Sequence, residues 1–182
     1  MSTMKVLICQ EIKNLVWEVR ERPVPGDNEV LIKIKTVGIC GTDIHAWAGN
    51  QPFFSYPRVL GHEICGEIIE SGKNIHNFNI GQQVAVIPYI SCQQCPACKS
   101  GRTNCCEKIS VIGVHQDGGF SEYLSVPVAN ILPADGIDPQ AAALIEPFAI
   151  SAHAVRRAAI APGEQVLVVG CLLYTSDAAD EL

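Results

Sequence analysis

Five cysteines inside one fifteen-residue stretch, four of them at metal-ligand spacing, constrain this chain more than any other feature. In CQQCPACKSGRTNCC (92–106), Cys92, Cys95, Cys98 and Cys106 follow the pattern C-x2-C-x2-C-x7-C. The stretch is rich in Gln, Pro, Lys, Gly and Asn, with few apolar residues to bury, so something other than a hydrophobic core must hold it. Four thiolates at this spacing can close a tetrahedral Zn²⁺ site with Zn–S distances of about 2.3 Å. Ligation then supplies the folding free energy that packing does not. Cys105 competes for the fourth place, but adjacent residues do not easily face one metal, and Cys106 is the expected ligand. A DNA-reading zinc ribbon is disfavoured, because the loop carries only Lys99 and Arg102 and the chain has a net charge of −6.

The 182 residues are 48% hydrophobic, enough for a sizeable core. The acidic balance argues against a nucleic-acid or membrane-surface partner. No secretory apolar run opens the chain, and no run reaches the roughly 18–20 residues of a membrane span. Nine cysteines in such a chain point to a reducing, cytoplasmic setting and to metal ligation rather than disulfides.

The first third reads as β-rich. Residues 4–9, 15–20 and 29–37 alternate and carry β-branched side chains, with turn chemistry in RPVPGDNE (22–29). CGTDIHAWAG (40–49) reads as a loop entering a short helix, with Thr42 or Asp43 as its N-cap. Further strands are expected in 62–72 and 82–89. Two glycines in QDGGFSEYLSVP (116–127) predict a tight turn or a close backbone approach. Asp138 and Pro139 are set to open one helix, and 147–160 reads as a stronger one. APGE (161–164) then turns into an expected strand at 165–169. A β-rich module thus gives way near Glu146 to a helix–turn–strand unit of α/β type.

Two further residues sit in settings that suit a metal. Cys40 follows an apolar strand and precedes a glycine; His62 lies in GHE at the head of another strand. A catalytic zinc takes three protein ligands and keeps one position open. Cys40, His62 and a carboxylate would suffice, although taken singly each residue favours the bland alternative of a buried structural thiol and a satisfied histidine.

GHEICGEIIESGKNI (61–75) resembles the signature G-H-E-x2-G-x5-G-x2 of the zinc-containing alcohol dehydrogenases, within the medium-chain dehydrogenase/reductase superfamily. GICGTDIH (38–45) resembles that family's first-ligand segment, the four-cysteine stretch its structural zinc lobe, and LIEPFAI (144–150) the E-P motif of its sorbitol and threonine dehydrogenase branch. The resemblance runs from about residue 4 to residue 170. It implies a mainly β, GroES-like catalytic domain over 1–146 with a structural zinc lobe, then the truncated start of a Rossmann cofactor domain over 147–170. It also implies two zinc ions per chain and NAD or NADP in the parent protein. Cys40 and His62 would hold the catalytic zinc. Glu63 would be a ligand or an exchanging one, and Glu146 would lie at the same site; which binds at rest is left open. Thr42 would pass the substrate proton outward and His45 would continue the relay. Asp43 is either a support for a metal-binding side chain or an ordinary cap. His76, His115 and His153 match no ligand pattern and read as structural or surface residues.

The implied activity is oxidation of a secondary alcohol by zinc-alkoxide formation and hydride transfer to NAD(P). YPRVLGHE (56–63), VIGVHQDGGFSEY (111–123) and LIEPFAI look closest to bacterial polyol and sugar-acid dehydrogenases, so a small polyol or sugar acid is the expected substrate and a homo-oligomer the expected parent. A stand-alone zinc-binding GroES-like module without redox activity is the alternative, and completeness of the cofactor domain discriminates the two. A zinc-free reductase is disfavoured by the two ligand sets. No G-x-G-x-x-G follows Val169. CLLYTSDAADEL (171–182) resembles a translated transposase sequencing adapter, so these residues are expected to be non-native and the chain by itself inactive.

Overall fold

The computed structural model describes residues 2–168. The turn expected after Gly170 and the adapter-like tail lie outside the described residues. In chain order the elements are β1 (Thr3–Glu11), β2 (Asn14–Glu21), β3 (Glu29–Gly38), α1 (Gly41–Ala48), β4 (Arg58–Val59), β5 (Glu63–Ser71), β6 (Gln83–Val86), β7 (Tyr89–Ile90), α2 (Pro96–Lys99), β8 (Ser110–Val111), β9 (Tyr123–Pro127), β10 (Ile131–Pro133), α3 (Pro139–Ala143) and α4 (Ile145–Ala158). Strands thus dominate and helices are few and mostly short, the mainly β class that the residue pattern predicts.

A five-stranded sheet of order β10-β6-β5-β3-β9 forms the centre, with every pair antiparallel. Its inward face carries Val30, Ile32, Ile64, Ile68, Val84 and Val126, all essentially inaccessible to solvent. Each such side chain contributes about 1.5–3 kcal/mol by leaving water. A three-stranded sheet, β2-β1-β4, and a β7-β8 ribbon complete the first unit, Met1–Glu146. In β2 the alternation is turned around: Leu15, Trp17 and Val19 face outward, and Val16, Glu18 and Arg20 are half-buried.

Gly118, the first of the paired glycines, makes the close backbone approach expected of them, and Gly113 earlier in the loop makes another. A Cβ on Gly118 would stand 2.2 Å from the carbonyl oxygen of Gly61, and one on Gly113 would stand 2.6 Å from it. The loop before β9 therefore leans directly on the backbone that leads into β5.

Asp138 caps α3 as expected, accepting from the N–H groups of Gln140 (2.9 Å) and Ala141 (3.3 Å). The cap of α1 is different from the expected Thr42 or Asp43. Cys40 is the cap residue, and Asp43, in the first turn, reaches back to accept the Cys40 N–H at 2.9 Å. The carboxylate is better placed from the third helical position, where it can also meet a second backbone group.

From Pro147 the chain forms a second compact unit. The expected helix begins two residues early, at Ile145, and ends at Ala158. The strand expected at 165–169 is not formed over 165–168, where Val166, Leu167 and Val168 are exposed. A strand of a parallel sheet needs a strand to pair with and cover on both faces. Among the described residues none pairs with this segment, so its apolar side chains have nothing to pack against.

Candidate metal centres

Cys40 and His62 are far apart in sequence, and the β3–β5 ladder brings them together. Its register sets Gly38 opposite Glu63, so the residues just past one strand meet those just before the other. Cys40 Sγ, a His62 ring nitrogen and a Glu63 carboxylate oxygen lie within 4.8 Å of one another. His62 and Glu63 are buried and Cys40 half-buried. Glu63 owes its position to the glycine opposite: a Cβ on Gly38 would stand 2.0 Å from Glu63 Oε2 and 2.9 Å from Glu63 Cβ.

Asp43 ties the two segments together. Besides the Cys40 N–H, it accepts the Gly61 N–H at 3.1 Å, and its Oδ1 stands 3.6 Å from His62 Nδ1. His62 Nδ1 is buried without a hydrogen-bond partner. A metal-binding imidazole gives its outer N–H to a carboxylate, a carbonyl or water, which fixes its tautomer, and the Asp43 carboxylate stands 3.6 Å from His62 Nδ1. Asp43 thus closes the capping box of α1 from its third helical position and faces His62 with the same carboxylate.

The electrostatics suit a cation. Burial disfavours a charged His62, but Asp43 and Cys40 outweigh it and push the imidazole up to about 10. His62 in turn draws the Cys40 thiol below its ordinary value, against the effect of burial. Burial raises the Glu63 carboxyl, with His62 opposing and Glu146 and Asp43 adding to the rise. Without a bound cation, one histidine proton must answer two buried acids and a thiol. The donor set of sulfur, imidazole and carboxylate is one that Zn²⁺ takes.

His62 opens on a cleft of 370 Å³, walled also by Thr42, Gln51, Tyr89, Val111 and His115. Thr42 Oγ1 is 3.7 Å from Cys40 Sγ. His45 lies exposed three residues further along α1, on the same side of the helix. Glu146 is not in the cluster; its Oε1 accepts the Tyr89 hydroxyl at 2.7 Å. Burial first, then Glu146, Cys40 and Glu63, raise the Tyr89 phenol above its ordinary range, so it stays a donor.

Sequence reasoning did not single out Tyr89, and His115, exposed as the surface reading expects, also lines the cleft. His115 accepts the Val111 N–H on Nδ1 at 3.0 Å, which leaves the neutral ring's proton on Nε2. No spacing rule could have found either residue, because each reaches the cleft through the β7-β8 ribbon. His76 and His153 are exposed, in keeping with the surface reading.

In the cysteine loop, Cys92, Cys95, Cys98 and Cys106 bring four sulfurs within 4.8 Å of one another, with Cys95, Cys98 and Cys106 buried and Cys105 exposed. Cys92 and Cys98 Sγ are 4.0 Å apart, close to the ~3.8 Å edge of a tetrahedron with the usual Zn–S length. Backbone N–H groups aim at the sulfurs: Cys92 and Lys108 donate to Cys106 Sγ (3.3 Å each), and Cys95 donates to Cys92 Sγ (3.4 Å). Cys95 is the N-cap of the four-residue α2, and a 3-10 turn at Thr103–Cys105 leads into Cys106.

The profile of the alcohol dehydrogenase GroES-like domain matches residues 26–136, most of the chain. The chain belongs to this family. An L-galactonate-5-dehydrogenase of Escherichia coli (strain K12) is 88% identical over 170 residues, covering 93% of this chain and 50% of the relative. A zinc-type alcohol dehydrogenase-like protein of Haemophilus influenzae is 45% identical, covering 90% and 48%. Among solved structures, the RspB alcohol dehydrogenase of E. coli CFT073 in complex with NADH superposes with a TM-score of 0.87 at 39% identity, over 94% of this chain and 50% of that one. The chain spans about half the length of the curated relatives it matches. Among the described residues, no helix is long and apolar enough to cross a membrane.

Proposed function

We propose that this chain is the N-terminal, substrate-activating part of a zinc-dependent NAD(P) dehydrogenase acting on a secondary alcohol of a polyol or sugar acid. The observation that carries the reading is the meeting of Cys40, His62 and Glu63, with His62 also lining a cleft beside Thr42. A Zn²⁺ held there supplies a Lewis acid that lowers the pKa of a substrate hydroxyl. Thr42 accepts the hydroxyl proton and hands it towards His45 at the exposed end of the relay. The His115 Nε2–H offers a donor to a polyhydroxylated substrate, whose other oxygens an apolar cleft would leave unpaired. Hydride acceptance belongs to a cofactor domain built from 147 onward and beyond. Free cysteines throughout the described residues fit a cytoplasmic enzyme.

The test uses the full-length protein. His62→Ala is expected to lower kcat/KM for a hexonate or polyol roughly a thousandfold, the worth of about 4 kcal/mol of lost charge stabilisation. Cofactor affinity, read by fluorescence titration of NADH and NADPH, should hold within twofold. Turnover near wild type in His62→Ala would sink the mechanism.

The cysteine loop is read as the structural zinc site, and its protonation gives a second expectation. N–H groups at Gln94 and Cys95 bring the Cys92 thiol down to about 6, whereas burial pushes Cys98 up to about 12. At pH 7, then, Cys92 is already a thiolate and Cys98 is not. Zinc must displace a proton from Cys98, and below about pH 6 from Cys92 as well. Affinity for this zinc should fall steadily as pH is lowered from 8 to 5, with proton release on binding. Isothermal titration in buffers of different ionisation enthalpy reads both; a flat pH dependence contradicts the ligand set.

A further inference from the structure

We propose that Tyr89 is a positioning residue that holds the Glu146 carboxylate away from the Cys40–His62–Glu63 cluster and so keeps one position of that metal site open. The proposal rests on the metal reading above.

The geometry is specific. The Tyr89 hydroxyl donates to Glu146 Oε1 at 2.7 Å, the length of a charge-assisted bond. The phenol is held on a fixed base. Tyr89 pairs with Val111 across the β7-β8 ribbon. The buried Asn130 side chain donates to the Tyr89 carbonyl at 3.1 Å and to the Ile87 carbonyl at 2.9 Å, pinning the backbone on both sides of Pro88. The ring faces the same cleft as His62 and Thr42.

The chemistry gives the latch a purpose. A catalytic metal needs three protein ligands and a vacancy for substrate. Cys40 and Glu63 already bring two anionic donors, with Asp43 behind them. A further carboxylate from Glu146 would fill the vacancy. The carboxylate has a choice between a phenolic donor and a cation, and the Tyr89 hydroxyl shifts that choice. Removing one hydroxyl at the edge of the cleft should therefore change what binds the metal.

Cobalt titration of the 182-residue chain tests this without any turnover. A visible difference spectrum against Cys40→Ser isolates the Cys40–His62–Glu63 site from the cysteine loop. Tyr89→Phe removes only the hydroxyl from a side chain whose ring stays in place. Its Cys40-dependent bands should shift and weaken as the coordination number rises, and Co²⁺ should bind about tenfold more tightly, within the range by which supporting residues tune metal affinity. Adding Glu146→Gln to Tyr89→Phe should restore the wild-type spectrum and affinity, a coupling that general loosening of the ribbon does not produce. A wild-type spectrum in Tyr89→Phe overturns the positioning role, as does a shift that persists when Glu146→Gln is added. A wild-type chain with no Cys40-dependent band overturns the metal reading and this inference with it, so the two failures are distinguishable.

Discussion

Cys98→Ser should remove one zinc equivalent from the protein and open the 92–106 loop while leaving the five-stranded sheet folded. The loop has little else to hold it. Its buried cluster is Cys95, Cys98 and Cys106, with only Cys92, Ala97 and Ile109 packed alongside. A structural zinc is worth about 10–16 kcal/mol of binding free energy, far more than these few apolar contacts. Serine keeps the shape but is a poor zinc ligand, and three thiolates without their metal repel one another in a small volume. Lys99 and Arg102 lie inside the loop, so trypsin reports on its opening. The variant should be cut there at least an order of magnitude faster than wild type, whereas strands β3, β5 and β6 stay protected. Metal analysis should find the loss confined to one equivalent, since the Cys40–His62–Glu63 cluster is held by a different ladder. Full zinc content or unchanged cleavage at Lys99 and Arg102 would count against the loop as a metal-dependent fold.

The contrast between the two candidate metal centres shows which parts of this protein its sequence makes visible. The cysteine loop is legible because all four sulfurs lie within fifteen residues and local turns alone can gather them. Cys40 and His62 depend on strand register, and spacing says nothing about which strands pair; only a family resemblance linked them beforehand. The strands themselves were legible from alternation, because the buried face of β3 and β5 tolerates little but Val, Ile and Leu. The cap of α1 was misplaced because Asp43 serves two backbone groups at once, and the second, Gly61, is a tertiary contact. The places of Tyr89 and His115 at the cleft were invisible for a like reason: a tyrosine and a histidine near the ends of short strands carry no local signature. The segment at 165–168 shows the reverse case. Its apolar run reads as a strand, yet a strand is a property of neighbours as well as of sequence.

Gly118→Ala should be the most damaging single methyl addition among the glycines around the site. Gly118 does not have a positive φ, so backbone strain is not the reason; space is. Its Cβ would lie 2.2 Å from Gly61 O, 2.6 Å from Gly113 Cα and 2.7 Å from Leu60 O. All three are backbone atoms, and none can rotate aside as a side-chain end could. The 113–120 loop is fastened at its far end by three successive bonds: Gly118 N–H donates to Val59 O at 2.8 Å, Gly119 N–H to Gly61 O at 2.8 Å and Phe120 N–H to Leu60 O at 2.9 Å. Relief therefore requires parting the loop from residues 59–61. The cost should be at least about 3 kcal/mol, the upper part of the overpacking range. For a chain of this size that corresponds to a fall in Tm of roughly 6–12 °C. Gly81→Ala is the control, since a Cβ there meets nothing within 4 Å and only its φ of +87° opposes the change; about 1–2 kcal/mol is expected. The damage from Gly118→Ala should also reach the chemistry. Gly61 precedes His62 and gives its N–H to Asp43, so displacing it loosens the carboxylate that faces His62 Nδ1. Affinity for the metal bound by Cys40, His62 and Glu63 should drop tenfold or more, as it does when a ligand's supporting partner is lost, and the cysteine loop should keep its zinc. A Tm no lower than that of Gly81→Ala, or metal affinities unchanged at both centres, would show that the Gly61 backbone does not couple the loop to the site.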